Sequence, residues 1–248
     1  MEIDFERNKL RISVVELASF EAPNRLRERG DSLLWRAQVG QEWHKVAERQ
    51  TRRRFPHAEF EKSISVKWLH RNWTFTIQGR IDQVIPTGSD ILLNEVKTVQ
   101  VPLPLDFEQV IDEYSHYLAQ TQIYWRICHL LPEFEGHALR AELTLFDIDQ
   151  GSVQSVPIAE TSTDYLVVQA ERLVQYLEAR KNSFIKLREL KIAPPFEVLR
   201  DGQAAAIEQL KHSLSTSRIT LFNAPTGFGK TGITLEQVLK KLQTDGYE

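Results

Sequence analysis

The sequence predicts an α/β fold in which a central mixed sheet is flanked by helices. Three segments in the middle of the chain alternate apolar and polar residues with the period of a strand, namely 60–69, 73–77 and 139–148. Longer segments with helical spacing lie on either side of them along the chain. Strands in the middle with helices around them are typical of an α/β or α+β core.

The helices are predicted by apolar spacing and by the residues that stop them. Residues 10–20 form a short strand or helix, and the spacing across 33–53 favours a helix. A helix over 107–131 is stopped by Pro132, because proline cannot continue a helix. A long helix follows over 164–190.

The best candidate for a domain boundary is the segment 192–196. It contains Pro194 and Pro195, which end the preceding helix and stiffen the connection. Beyond it the character of the chain changes. We therefore expect a first domain over 1–191 and a second, incomplete one over 192–248.

Composition excludes several classes of protein. The formal net charge of −3 argues against a generally basic nucleic-acid-binding surface, so DNA contacts must come from local patches. The single cysteine, Cys128, excludes an internal disulfide and any site built from four cysteines, and its apolar neighbours indicate a buried structural thiol. Neither a signal segment nor a membrane-length apolar run is visible, so we expect a soluble, cytoplasmic protein without membrane partners.

The most informative feature is a candidate hairpin that carries two carboxylates. Asp82 and, thirteen positions later, Glu95 lie on β-like runs joined by a Gly/Pro turn at 86–90. Lys97 shares a face with Glu95 because strand side chains alternate. Two carboxylates can hold a divalent cation, and a lysine beside them can orient or deprotonate water and offset phosphate charge. The alternative is a solvated face with a cross-strand ion pair.

Helices on either side of the hairpin carry further candidates. His44 lies on the earlier helix, where a surface or half-buried histidine is the alternative. Gln120 and Tyr124 are four residues apart on the later helix, so they share one face and could both reach a phosphate. The alternative for this pair is a packed tyrosine beside a solvated glutamine.

In their order along the chain, these features resemble the RecB-type branch of the PD-(D/E)xK nucleases. The resemblance covers about residues 10–190 and implies a restriction-endonuclease-like core. It further implies binding of Mg²⁺ or Mn²⁺. The metal ligands carried over from the family are His44, Asp82, Glu95 and the backbone carbonyl of Val96.

The same resemblance assigns roles to the remaining residues. Lys97 would be catalytic and assist the attacking water, while Gln120 and Tyr124 would help position DNA. Several relatives hold an iron–sulfur cluster with four cysteines, the first expected near Ala22 and Pro23. Since alanine stands there, we expect no iron–sulfur cluster in this protein.

A second motif, a glycine loop, lies near the end of the sequence. The β-like run 219–222 is followed by the glycine loop 224–231 and by an amphipathic stretch, 233–242. Strand, glycine loop and helix are the context that a phosphate-binding loop requires, whereas a glycine-rich turn before a helix is the alternative. In such a loop Lys230 would meet the β- and γ-phosphates, and Thr231 would bind Mg²⁺.

The sequence of this loop resembles that of the phosphate-binding loop in superfamily 2 helicases, although Ala224 replaces the usual first glycine. Gln203, about twenty residues upstream, resembles the glutamine that reads adenine in those helicases. The nucleotide-binding residues that the resemblance implies are Gln203, Thr226, Gly227, Gly229, Lys230 and Thr231. No acidic strand or arginine finger follows, so we expect ATP–Mg to be hydrolysed only in a complete helicase of which this chain is the front part.

Together these features predict a metal-dependent DNA nuclease within a nuclease–helicase of DNA repair or defence. The expected partners are DNA, either single-stranded or at ends, and the remainder of a helicase motor. A basic helix end at Arg49 and 52–54 either contacts the DNA backbone or is a solvated terminus. The alternative functions are a non-cleaving module that loads DNA into an ATP-dependent helicase, and a regulatory module of such a helicase.

Overall fold

The computed structural model describes residues 1–21, 33–158 and 164–245. The chain forms two compact units, Met1–Tyr176 and Leu177–Glu248. The boundary expected after residue 191 stays a prediction. Ala22 and Pro23, where iron–sulfur relatives carry their first cysteine, lie outside the described residues.

The first unit is built on a mixed sheet of seven strands, which confirms the predicted α/β architecture. The strands are β1 Glu2–Asp4, β2 Lys9–Ser13, β3 Glu59–His70, β4 Trp73–Thr87, β5 Asp90–Val99, β6 Ala138–Asp147 and β7 Val153–Ile158. Their order is β1-β2-β4-β5-β6-β7, and β3 pairs with β4. The pairs β2–β4 and β5–β6 are parallel and the remaining pairs are antiparallel.

Helices connect and cover these strands. They are α1 Val14–Ala18, α2 Leu33–Arg54, α3 Phe107–Cys128, α4 Tyr165–Glu189, α5 Gln203–Thr216 and α6 Lys230–Asp245, with a 3-10 turn at Pro132–Phe134. The segment 10–20, predicted as one strand or helix, contains the end of β2 and all of α1. A capping box made by Ser13 and Glu16 fixes this change of direction: the Glu16 amide donates to Ser13 Oγ (3.1 Å), and the Ser13 amide donates to the Glu16 carboxylate (2.9 Å).

The two faces of the sheet bury different helices. On one face, Leu143 and Leu145 of β6 form an apolar cluster with Val110 and Leu118 of α3. On the other face, Phe146 packs with Trp43 and Ala47 of α2 and with Val96 of β5. This division follows from the alternation of side chains along a strand.

The long strand β4 has a gap in the pairing along one of its edges. β3 occupies the other edge, from Trp73 to Val84. On the near edge, β2 pairs with residues 74–78 and β5 pairs with residues 83–87. Residues 79–82 therefore face neither strand on that side, and Asp82 lies in this gap.

The second unit consists of the end of α4, α5, α6 and connecting loops. Its helix α6 contributes Gln243, whose amide donates to the carbonyls of Leu187 (2.7 Å) and Leu190 (2.6 Å) and so caps the end of α4. The strand expected at 219–222 was wrong, since this segment forms no strand in the described part of the chain. Ile219 and Leu221 are 80% and 93% exposed. An extended run becomes a strand only when a partner accepts its ladder hydrogen bonds, and none of the described strands pairs with it.

Across residues 1–21, 33–158 and 164–245, none of the helices combines the length and the apolar character needed to cross a membrane.

Candidate functional site

The gap in β4 is closed by a side chain rather than by a strand. The Arg80 amide donates to Tyr124 Oη (3.2 Å), and the Tyr124 hydroxyl donates to the Arg80 carbonyl (3.1 Å). Gly79 makes room for the ring, because a Cβ at that position would lie 2.5 Å from Tyr124 Cε1. Burial raises the pKa of Tyr124 to about 12, so the hydroxyl keeps the proton that it donates. Helix α3 thereby fixes β4 immediately before Asp82.

Asp82 lies at the meeting point of β4, β5 and α2. Its Oδ2 accepts a hydrogen bond from the Val96 amide (2.8 Å) and lies 3.7 Å from His44 Nδ1. The Asp82 side chain is 13% exposed and that of His44 is 31% exposed. The predicted hairpin thus exists, and the histidine of the earlier helix reaches the aspartate across it.

Glu61 is a member of the site that sequence reasoning missed. It lies on β3 between Phe60, which pairs with Gln83, and Lys62, which pairs with Ile81, and so it lies opposite Asp82. Its φ of +55° is left-handed, an uncommon conformation for a residue with a side chain. No sequence signal marks Glu61, because the register between two strands decides which acid faces Asp82.

The ligand atoms of His44, Glu61 and Asp82 all lie within 4.8 Å of one another. One imidazole nitrogen and two carboxylates at this spacing could hold a metal ion. This group differs from the ligand set that the resemblance implied, because it contains Glu61 and not Glu95. The predicted role of the Val96 carbonyl stays a prediction; the Val96 side chain packs against Ala47 of α2, the helix that also carries His44.

Glu95 is buried beside this group, and only one of its two carboxylate oxygens is hydrogen-bonded within the described structure. Its side chain is 2% exposed, and Oε1 accepts hydrogen bonds from Lys97 Nζ (2.6 Å) and from the Gln120 amide. Among the described residues, Oε2 has no hydrogen-bond partner. Burial raises the pKa of Glu95 to about 8 against the lowering effect of Lys97, and the nearby charges of Asp82 and Glu61 raise it further.

A buried carboxylate oxygen without a partner is costly, so its presence beside three candidate ligands calls for a positive group. A divalent cation fits this donor set, because hard cations take carboxylate oxygens and histidine is also a common ligand. The residues present therefore fit the metal that the resemblance implies. His44 and Asp82 would contribute as the sequence predicts, together with the unpredicted Glu61, and Glu95 would add a carboxylate beside them.

Lys97 is held as a cation within the site. Its side chain is 19% exposed, and Nζ lies 5.5 Å from the centre of the Tyr117 ring. Burial lowers the pKa of Lys97, but the negative charges of Glu95 and Asp82 outweigh it and raise the pKa above its usual value. A lysine held protonated can offset phosphate charge, whereas it is a poor base for water.

The helix pair Gln120 and Tyr124 does share one face, and that face points into the protein. Gln120 is 5% exposed and donates to Glu95; Tyr124 is 3% exposed and binds the Arg80 backbone. Both residues thus orient parts of the site, and their predicted contacts with DNA stay a prediction. At the end of α2, Arg49, Arg53 and Arg54 are exposed, while Arg52 pairs with Glu48 (2.7 Å).

The candidate phosphate-binding loop in the second unit has left-handed glycines. Gly227 and Gly229 have φ values of +80° and +84°, and α6 begins at Lys230 directly after them. The Lys230 ammonium donates to the carbonyls of Ala224 (2.6 Å) and Pro225 (3.0 Å). The Lys230 side chain therefore folds back onto the backbone of the loop that precedes it.

Gln203 fastens the same loop from α5. Its amide nitrogen donates to the Phe228 carbonyl (2.6 Å), and its oxygen accepts from the Arg200 amide (2.7 Å). Gln203 is 1% exposed, so in this conformation its amide nitrogen binds the loop and its oxygen binds the residue Arg200 just before α5. Thr226 and Thr231 are exposed, and their predicted nucleotide contacts stay a prediction.

Comparison with known proteins identifies no family. No protein-family model matches the chain, and no curated protein matches it significantly. Among solved structures, one described as "Crystal structure of SSO0001" is 20% identical to this chain, with a TM-score of 0.45. The match covers 66% of this chain and 75% of that one. At this similarity neither a fold family nor a function is transferred to the present protein.

Proposed function

We propose that the first unit is a divalent-cation-dependent nuclease that hydrolyses DNA phosphodiesters. The observation that carries the proposal is the Glu95 carboxylate, which is buried with Oε2 unpartnered beside His44, Glu61 and Asp82. A surface ion pair would not be built in this way, because it would leave both carboxylate oxygens in water. Lys97, fixed on Glu95 Oε1, adds the positive charge that phosphate hydrolysis needs.

The proposed reaction adds water to the phosphorus of a phosphodiester. One P–O bond forms as the water gives up a proton, the bond to the leaving oxygen breaks, and the leaving oxygen takes up a proton, so one water is consumed and the protons balance. A divalent cation would supply Lewis acidity that offsets phosphate charge and acidifies water. The protein's part is to hold Asp82 through the Val96 amide and Glu95 through Gln120, and to keep the Lys97 ammonium available to the developing negative charge.

A nucleic acid is the favoured class of substrate because of the positive charges on the helix that carries His44. Arg49, Arg53 and Arg54 are exposed on α2, the same helix that carries His44. Arginines on one helix end can contact successive phosphates without reading the bases. We propose Mg²⁺ or Mn²⁺ as the cation and single strands or ends as the substrate.

The test is cleavage of labelled single- and double-stranded DNA in Mn²⁺, Mg²⁺ or EDTA. Asp82→Ala and Lys97→Ala should abolish cutting that wild type shows only with metal. Asp90→Ala is the matched control, since Asp90 lies on the same hairpin and pairs with the exposed Arg140 (3.5 Å). Cutting that survives the first two substitutions would refute the site, and metal-independent DNA binding without cutting would favour the non-cleaving loading module.

For the second unit we propose nucleotide binding within a complete nuclease–helicase of DNA repair or defence. The supporting observation is the loop with two left-handed glycines directly before α6, whose first residue is Lys230. Lys230 would leave the carbonyls of Ala224 and Pro225 and turn to the phosphates. Binding of a fluorescent ATP analogue by the chain joined to its motor, lost in Lys230→Ala, would support this proposal, and equal binding by both proteins would contradict it.

A further inference from the structure

Glu61 already has a positive partner, the guanidinium of Arg80. The two side chains form an ion pair between β3 and β4, and they are 47% and 67% exposed, respectively. Both backbones are fixed: Arg80 is bound at its amide and carbonyl by Tyr124, and Glu61 lies between two residues paired with β4. Only the side chains are therefore free to change partners.

The same carboxylate also belongs to the cation site. One Glu61 oxygen lies within 4.8 Å of the ligand atoms of His44 and Asp82. A carboxylate that balances a guanidinium cannot give its full charge to a metal ion at the same time. Arg80 and a divalent cation should thus compete for Glu61.

The charges around the group favour such an exchange. Glu61, Asp82 and Glu95 are three carboxylates, and each of the first two raises the pKa of the third. A divalent cation brings two positive charges to this cluster, while the exposed guanidinium of Arg80 offers one that water screens.

We propose that Glu61 is a direct ligand of the divalent cation and that Arg80 occupies its carboxylate until the cation binds. The inference rests on the proposed function, which it extends by one ligand and by one competing group. It assigns to Arg80 an inhibitory effect on metal affinity, opposite to that of a residue that merely stabilises the site.

The test is calorimetric titration of the full chain with MnCl₂, without DNA. Glu61→Gln should weaken Mn²⁺ binding about tenfold or more, as loss of a ligand does. Arg80→Ala should tighten it about two- to fivefold, the scale of one exposed ion pair. Arg140→Ala is the control: Arg140 is also an exposed arginine, but its partner is Asp90, so its removal should leave the Mn²⁺ affinity unchanged.

A double variant separates competition for Glu61 from general electrostatics. If Arg80 acts through Glu61, Arg80→Ala will have no effect in the Glu61→Gln background. An equal gain in both backgrounds, or weaker binding by Arg80→Ala alone, would overturn the inference. A gain of affinity cannot arise from misfolding, which protects the test against an unstable variant.

The outcomes also distinguish this inference from the proposed function. Absence of Mn²⁺ binding by wild type would overturn both. Binding that Asp82→Asn abolishes, with Glu61→Gln equal to wild type, would overturn the role of Glu61 alone and leave the nuclease proposal in place.

Discussion

The substitution Gly79→Ala tests whether the close approach of Tyr124 to β4 fixes the site. A Cβ at position 79 would lie 2.5 Å from Tyr124 Cε1, 3.0 Å from Tyr124 Oη and 2.9 Å from Val14 Cγ2. Ordinary carbon contacts are about 3.5 Å or longer, so the ring must shift by about 1 Å. Tyr124 is 3% exposed and Val14 is fully buried, so neither side chain can move into solvent to make room for the methyl group.

The expected cost follows from overpacking of a buried site. Added methyl groups in packed cores typically cost about 1–3 kcal/mol, and two immobile neighbours place Gly79→Ala at about 2–3 kcal/mol. For a protein of this size that corresponds to a melting temperature lower by about 5–10 °C. Chemical denaturation followed by tryptophan fluorescence would measure the free energy of unfolding.

A double-mutant cycle identifies the cause. In the Tyr124→Ala background the added methyl loses two of its three nearest contacts and keeps the one with Val14, so Gly79→Ala should cost at least about 1 kcal/mol less than in wild type. Gly88→Ala is the control, because an alanine Cβ there would meet no described atom within 4 Å, and its cost should be the same in both backgrounds. Additive effects of Gly79→Ala and Tyr124→Ala would refute the reasoning.

Three further predictions concern buried polar groups. Between about pH 4.5 and pH 8 the folded protein keeps a proton on Glu95 that the unfolded chain has lost. Without metal, the stability of the protein should therefore fall as pH rises, by at most about 1.4 kcal/mol per pH unit. Denaturation at several pH values should show a smaller slope for Glu95→Gln, and an unchanged slope would contradict the prediction. Thr144→Val should cost about 1–3 kcal/mol in the same assay, because it leaves Asn94 Oδ1 without the hydroxyl that donates to it at 2.9 Å, and a neutral result would mean that Asn94 finds another donor. Burial raises the pKa of Cys128 to about 12, so a thiol reagent at about pH 8 should modify it only on unfolding, and rapid reaction of the native protein would disprove its burial.

Local sequence patterns were sufficient to predict the helices and strands but not to predict which strands pair with one another. The alternation in 60–69 and the spacing across 107–131 depend on neighbouring residues, and β3 and α3 follow them closely. The run 219–222 has the same kind of pattern and forms no strand in the described structure, because strand formation also depends on a pairing that sequence neighbours do not determine.

The candidate site shows the same division. The arrangement of Asp82, Glu95 and Lys97 could be predicted from the hairpin pattern, since the turn and the alternation of strand side chains determine where these residues lie relative to one another. Glu61 was missed because the register of β3 on β4 brings it to Asp82, and a shift of one residue would turn it to the other face.

The closure of β4 by Tyr124 has a consequence for how the protein loses its site on heating. The hairpin of β4 and β5 can form from local contacts, but the Arg80 amide acquires its partner only when helix α3 docks on the sheet. Any opening that detaches α3 exposes this amide to water and frees the strand next to Asp82 while the remaining ladder is intact. Hydrogen exchange at Arg80 should therefore outpace exchange in the flanking paired residues, and metal binding should fade some degrees below the temperature at which the sheet melts.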